Sequence, residues 1–248
     1  MRAEIVLTVS ESKRLIAKGV AHLDIVRERM RKGMIVLAKG STNAYVYEEL
    51  MGHAIDKRAY VTGFTAPTKA SLVREVEQLP DLVLLDGERA PELDRFTAIA
   101  RMRAGDIFIK GANTLNYARG VAGITVGSPT GGTIGRVLES LKAKNLRLLI
   151  PVGLEKEVPL DIEATSTRLA APDETLGMVH TLWPVRGIIF TEIEALRTLC
   201  AVDAFPVAAG GVFGAEGGLR LLLDGRADAV GQALEVVGSI QGESPLVS

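Results

Sequence analysis

The chain reads as an α/β protein: an open, mostly parallel sheet with helices on both faces, plus a smaller α+β lobe toward the C-terminus. Three observations predict it. Short apolar runs without polar interruption occur along the chain, as expected of strands covered on both faces. Segments of helical period separate these runs, so strand follows helix follows strand, which is the order that builds a parallel sheet with right-handed crossovers. Glycine, at 26 of 248 residues, clusters in loops just after the apolar runs.

In chain order, Met34-Ile-Val-Leu-Ala38, Leu82-Val-Leu-Leu85, Ile107-Phe-Ile109, Ile124-Thr-Val126 and Leu148-Leu-Ile150 are the predicted strands of the core. Residues 12–31, 44–51, 91–103 and 133–144 are the predicted helices between them. The charge run Arg27-Glu-Arg-Met-Arg-Lys32 suits a solvated helix end, where cations complement the dipole. After Pro159 a polar helix is expected over 161–170, then a loop with Pro172 and Gly177. A strand over 187–190, a helix over 192–199 and a strand over 203–207 follow, and helices over 219–223 and 227–240 finish the chain. Pro206 inside its strand marks an edge position, because proline has no N–H for a ladder. Residues 1–158 are thus the ligand-binding core and 159–248 the smaller lobe, packed on it or continuous with it.

Composition excludes several functions. Apolar residues make up 47% of the chain, too many for a disordered segment. A formal charge of −1 provides no footprint for nucleic acid or an anionic membrane. The positive mean hydropathy of +0.22 reflects a buried core, since no stretch approaches the ~18 apolar residues a span needs. The N-terminal apolar run is too short for a secretory signal and passes directly into Glu11-Ser-Lys-Arg14. A single cysteine, Cys200, excludes a disulfide scaffold and fits a reducing cytoplasm. It lies on an apolar periodic stretch, as a buried small hydrophobe does. A symmetric homo-oligomer is the expectation for a chain of this size.

Five glycine-bearing loops follow predicted strands: Lys39-Gly40-Ser41-Thr42-Asn43, Lys110-Gly111-Ala112-Asn113, Gly127 to Thr133, Pro151 to Lys156, and Ala208 to Gly218. In an open parallel sheet the ligand crevice lies beyond the carboxyl ends of the strands, so all five are expected at one edge. Glycine admits close approach of backbone to a ligand, and Ser or Thr at a helix start caps the helix or holds an anion. The candidate ligand-binding residues are therefore Gly40, Ser41, Thr42, Asn43, Asn113, Gly127, Ser128, Thr130, Gly131, Gly132, Thr133, Gly210 and Gly211. A tight turn with a capping residue is the simpler account of any one loop taken alone.

Several familiar motifs are missing. The Gly127–Thr133 loop lacks the lysine of a P-loop, no G-x-G-x-x-G follows the first strand, and no G-x-S-x-G elbow occurs. His22, His53 and His180 are isolated, so neither a metal nor any other cofactor is expected. Charged groups at the loop edge supply the chemistry instead. Lys110 follows three apolar strand residues, so its ammonium emerges at the strand end, where it binds an anion or, if desolvated, acts as a base. Lys156 offers the same, and Lys39 stands at the edge as well. Glu155 or Glu216 serves as a general base if apolar walls raise its pKa. Thr191 and Glu194 fit a capping box ahead of Ala195-Leu196, which leaves Glu192 open.

The order of GMIVLAKGSTNAYV (33–46), DIFIKGANTLN (106–116), GITVGSPTGGTIG (123–135) and LLIPVGLEK (148–156) resembles the sugar-phosphate isomerase, aminosugar-phosphate deaminase and CoA-transferase-like superfamily. Type A ribose-5-phosphate isomerases are the nearest comparison. The resemblance implies that Gly40, Ser41 and Thr42 sit at a substrate anion, that Gly131 and Gly132 lie beside the reacting carbons, and that Lys156 matches the lysine of the last segment. It covers 33–156. The acidic loop of those isomerases is replaced here by Lys110-Gly-Ala-Asn113, and their lysine in the glycine-rich loop is absent, so their mechanism does not transfer. Glu216-Gly-Gly218 matches the E-x-G setting of the CoA-transferase acyl carrier, but in another part of the chain.

The functional expectation is a protein that binds a small phosphorylated or carboxylated metabolite. As an enzyme it transfers a proton next to a carbonyl, with Lys110, Glu155, Lys156 and Glu216 as the catalytic group. An acyl-CoA-using transferase or hydrolase with Glu216 as carrier is the first alternative, and a non-catalytic metabolite sensor the second. A (β/α)₈ barrel also fits the length and the placement of glycine loops.

Overall fold

Met34-Ile-Val-Leu37 is apolar on both faces, and all four side chains are buried in the middle of a mixed sheet. The computed structural model describes residues 1–63, 65, 76–128, 130–171 and 174–246. Pro172, expected in a loop, lies outside them. In chain order the elements are β1 (Arg2–Leu7), α1 (Val9–His22), α2 (Asp24–Arg31), β2 (Met34–Leu37), α3 (Ser41–Met51), β3 (Leu82–Leu85), β4 (Glu88–Arg89), α4 (Arg95–Arg101), β5 (Ile107–Ile109) and β6 (Thr114–Asn116). There follow β7 (Val121–Val126), α5 (Gly132–Ala143), β8 (Arg147–Pro151), α6 (Ile162–Leu169), β9 (Thr181–Val185), β10 (Ile188–Phe190), α7 (Glu192–Cys200), β11 (Asp203–Ala209), β12 (Leu219–Asp224) and α8 (Ala227–Ile240).

The chain has the expected α/β character. Its main sheet has six strands in the order β10-β8-β5-β2-β3-β4. From β10 to β2 the neighbours are parallel; β3 and β4 then add antiparallel. Counted within this sheet alone, the order is 3-2-1-4-5-6 read from β4, and it reverses between β2 and β5. That reversal is where open α/β sheets form a crevice. An open sheet with two antiparallel edge strands is not a closed barrel.

Two smaller antiparallel sheets complete the fold, one of β6-β7-β9 and one of β1-β12-β11. They correct the expected arrangement in three ways. The run at 124–126 is not a parallel core strand: it is the end of β7, which pairs antiparallel with β6 and β9. The leucine-rich 219–223 is a strand and not a helix, because β12 alternates buried and exposed side chains between β1 and β11. The C-terminal residues build no sheet of their own. β10 adds to the main sheet, β9 to β7, and β11 and β12 join β1 from the other end of the chain, so a boundary at 158 separates no sheet. Pro206 does lie on an edge strand, beside a register shift between Pro206 and Ala208.

The helix expected over 12–31 is two helices, broken at Leu23, whose backbone is extended (φ −65°, ψ 128°). Thr8 and Glu11 close the start of α1 with a reciprocal capping box. One core holds the sheet and its helices together, with Tyr45, Tyr60, Phe108 and Phe190 fully buried. Along its rim Arg14 of α1 bridges Glu49 of α3 (2.9 Å) and Glu243 beyond α8 (2.9 Å), and also contacts Glu48.

Candidate functional site

The carboxyl ends of β2, β5, β8 and β10 lie side by side, and each is followed by a polar residue on a short turn. After β2 come Lys39, Gly40 and then α3. Gly40 caps α3 without a side chain, and where its Cβ would stand there is open space. The first-turn N–H groups of a helix have no partner within the helix. Ser41, Thr42 and Asn43 occupy that turn. Thr42 and Asn43 are buried, at 3% and 0% exposure. Among the described residues Thr42 Oγ1 and Asn43 Oδ1 have no hydrogen-bond partner, which is costly for buried polar atoms unless a ligand or water supplies one. The Asn43 amide donates to the carbonyl of Ala38 at 2.7 Å and, more weakly, to that of Ile109 at 3.4 Å. Asn43 thus ties the ends of β2 and β5 together at the reversal of strand order. Tyr60 fixes the other flank, its hydroxyl donating to Leu37 O and accepting from Leu82 N–H.

After β5 comes Lys110. Its Nζ donates a long hydrogen bond, 3.4 Å, to the neighbouring Gly111 carbonyl. Burial, then the positive charges of Lys156 and Arg95, push its pKa down to about 8. After β8 the chain turns through Gly153, and the Glu155 side chain folds back over it. A Cβ on Gly153 would stand 1.7 Å from Glu155 Oε2, so glycine is required for space and not for its dihedral angles. Glu155 Oε1 lies 3.7 Å from Lys156 Nζ, while Oε2 is buried without a hydrogen-bond partner among the described residues.

After β10 comes Glu192, the first residue of α7, with no exposed surface. Its Oε2 accepts from Leu154 N–H at 3.0 Å. Burial pushes its pKa up to about 7, helped by the charge of Glu155; the Leu154 N–H and the Ser12 hydroxyl oppose that shift. Lys13, one residue further along α1, is itself held below the usual lysine value by burial and by Lys156. Burial also lowers Lys39, with Asp81 and Arg95 as its charged neighbours. Arg95 pairs with Asp81 at 3.1 Å, and with Lys39 they line a cleft of about 400 Å³ beside the end of β2.

The parallel edge therefore collects Lys39, Gly40, Ser41, Thr42, Asn43, Lys110, Glu155 and Lys156 from the expected residues, and adds Lys13, Arg95 and Glu192. The remaining expected residues are elsewhere or otherwise engaged. Asn113 spends its side-chain oxygen on Thr125 N–H and its own N–H on Gly123 O, which fastens β7 to the end of β5. The loop from Gly127 to Thr133 follows β7 and so leaves an antiparallel sheet. Ser128 and Thr130 bond each other there, Gly131 fits against Trp183, and Gly127 against His180. Its link to the parallel edge runs through α5, whose Arg136 stacks on Phe96, the neighbour of Arg95. Gly210, Gly211 and Glu216 lie in the β11–β12 hairpin, also antiparallel. Glu216 is exposed and accepts from Gly214 N–H within its own loop. Three glycine loops share the parallel edge, not five.

Thr191 and Glu194 form the expected capping box. The same short stretch carries Glu192 into the site: it lies two residues past the apolar run that ends at Phe190, with the capping Thr191 between, where Lys110 follows its run at once. Lys13 has no such signal, since only the docking of α1 brings it to the edge. Among the described residues no cluster of three or more His, Cys, Asp or Glu side chains is placed to hold a metal ion. Among the same residues no helix is long and apolar enough to cross a membrane. Comparison with protein-family models, curated proteins and solved structures finds no match to this chain.

Proposed function

We propose that the chain binds a small phosphorylated or carboxylated metabolite at the carboxyl edge of its parallel strands and moves a proton next to that ligand's carbonyl. One observation carries the reading: a lysine lowered to about 8 and a carboxyl raised to about 7 stand at the ends of strands in the same sheet. Environments that push an acid and a base toward neutrality are what proton transfer at neutral pH needs. Lys39, the first-turn N–H groups of α3 and the Thr42 hydroxyl hold the anionic group, while Asn43, whose amide donates to Ala38 O and Ile109 O, positions that turn. Lys110 and Lys156 stabilise the negative charge that develops on the carbonyl oxygen, and Glu192, with Glu155 beside it, takes the proton.

Resemblance to the sugar-isomerase and CoA-transferase-like superfamily belongs to the same proposal. Its support is that the GST and KGAN segments and the VGLEK turn follow adjacent parallel strands in the resembling order, while the fourth segment, with Gly131 and Gly132, follows β7 of an antiparallel sheet and lends none. The acyl-CoA alternative needs Glu216 as acceptor, and that carboxylate is engaged in its own hairpin loop. A cytoplasmic setting suits the buried thiol of Cys200.

A thermal-shift screen against sugar phosphates, dicarboxylates, nucleotides and acyl-CoAs tests the binding. A true ligand at 100 times its Kd adds ~2.7 kcal/mol of stability. Exchange of a ligand C–H for solvent deuterium, followed by NMR, tests the proton transfer. Saturable binding without exchange identifies a sensor. An acyl-enzyme mass on Glu216 overturns the proposal in favour of the acyl-CoA alternative.

A further inference from the structure

The charges of the parallel edge are paired unevenly. Lys156 faces Glu155 at 3.7 Å, and Arg95 is bonded to Asp81 at 3.1 Å. Lys110 lies within the field of both cations, yet no ion pair links it to a carboxylate among the described residues. Its Nζ makes a long contact with a backbone carbonyl, at 3.4 Å. A largely buried ammonium in the field of two cations, with no carboxylate paired to it among the described residues, is the arrangement that favours the free amine, and a free amine is a nucleophile. Beside it, across the β2–β5 reversal, the buried Thr42 hydroxyl has no partner among the described residues and is a donor for an anionic group, whereas Asn43 Oδ1 only accepts.

We propose that Lys110 forms a reversible imine with a small carbonyl compound that also carries a carboxylate or phosphate. The inference rests on the proton-transfer reading and deepens it by naming both the substrate class and the covalent step; the protonated imine nitrogen then takes the electrons that, without it, a Lys110 ammonium would stabilise on the carbonyl oxygen. The amine lone pair attacks the carbonyl carbon, and the nitrogen gives up its two hydrogens as the oxygen leaves as one molecule of water. A proton from a carboxyl at the edge leaves the imine nitrogen protonated, with a C=N bond in place of C=O. That cation draws electrons from the adjacent carbon, whose proton a carboxylate then accepts; hydrolysis returns Lys110 and the carbonyl product. No oxidant, reductant or metal enters the balance.

Borohydride trapping tests it on the whole chain. Pyruvate and dihydroxyacetone phosphate are the probes, each incubated with protein and then reduced. The expected product is a single adduct, the mass of one probe less one water plus two hydrogens, mapped by peptide mass spectrometry to Lys110. Lys110→Arg and Lys110→Gln lose it, with unfolding curves to show that both variants fold. A second measurement needs no ligand: trinitrobenzenesulfonate near pH 8 is expected to modify Lys110 ahead of the other lysines. An adduct on other lysines, an adduct that survives in both variants, or Lys110 reacting no faster than surface lysines overturns the proposal. Saturable probe binding without an adduct overturns the imine alone. Neither binding nor adduct overturns the functional reading together with it.

Discussion

Gly19 of α1 faces Ala195 of α7 so closely that a Cβ on Gly19 would stand 2.8 Å from the Ala195 Cα and 2.9 Å from the Phe190 ring. The two helices carry Lys13 and Glu192, so this crossing sets where each of them stands at the parallel edge. Backbone cannot swing aside as a side chain does. Gly19→Ala is therefore expected to cost about 1–3 kcal/mol despite alanine's better helix propensity. Urea unfolding measures it, and a stabilised variant would show that the helices are not packed this closely.

Glu192 makes stability depend on pH. Its carboxyl titrates near 7 when folded and near the ordinary carboxyl value when unfolded. Between those values the folded chain binds more protons, so this group weakens the fold as pH rises through the window. The full effect near pH 8 is on the order of 3 kcal/mol. Glu192→Gln keeps an acceptor for Leu154 N–H and removes the titration. The variant is expected to match the parent near pH 5 and exceed it near pH 8, in denaturant titrations at both.

The Arg14 network has the opposite sign. Burial alone would raise Glu243, but its bonds to Arg14 and the nearby charge of Lys57 hold it below the usual carboxyl range. Its contribution is complete above the unfolded value and disappears as pH falls through the depressed one. Arg14→Met leaves Glu48 and Glu243 to Lys57 and Glu49 to Lys18, and a loss of about 1–3 kcal/mol is expected. The midpoint of acid unfolding reports the pH arm, and thermal unfolding the variant.

Gly153→Ala displaces the Glu155 carboxylate, which is the far end of a side chain and moves without disturbing the strand. Ligand affinity is expected to fall on the order of tenfold to a hundredfold while the melting temperature changes little. Isothermal titration and a melting curve on the same sample separate the two effects.

A strip of Phe205, Val207, Val212 and Phe213 is exposed on β11 and its hairpin, Phe213 with a left-handed backbone at φ 58°. If the chain self-associates symmetrically, this strip is the expected contact. Phe205→Ser with Phe213→Ser is then expected to shift sedimentation to the monomer, and an unchanged sedimentation profile assigns any contact elsewhere.

The legible parts were the ones with local causes. Ile107-Phe-Ile109 and Leu82-Val-Leu-Leu85 are strands with the expected limits, because an apolar run of that length has few alternatives. Thr191 and Glu194 cap α7 through bonds that span three residues. Partner choice was not legible: β7 looks like β5 along the chain, and only its pairing with β6 and β9 separates them. Leu219–Asp224 shows the same limit, since its leucines suit a helix until β1 and β11 present their edges. In the site, Lys110 and Lys156 followed from strand ends, whereas Lys13 and Arg95 arrived through tertiary docking of α1 and α4.

The pairing of β1 with β12 has a consequence for synthesis. Arg2 and Asp224 are partners across 222 positions, so β1 leaves the ribosome long before its neighbour exists. During that interval α1, which follows β1 directly, lacks the sheet that anchors its entry. A nascent chain stopped after β10 already carries Lys39, Lys110, Glu155 and Lys156, but neither α7 with Glu192 nor the strand that seats β1 ahead of Lys13. Loop closure of this length is slow, and it delays the candidate site until β12 has been made.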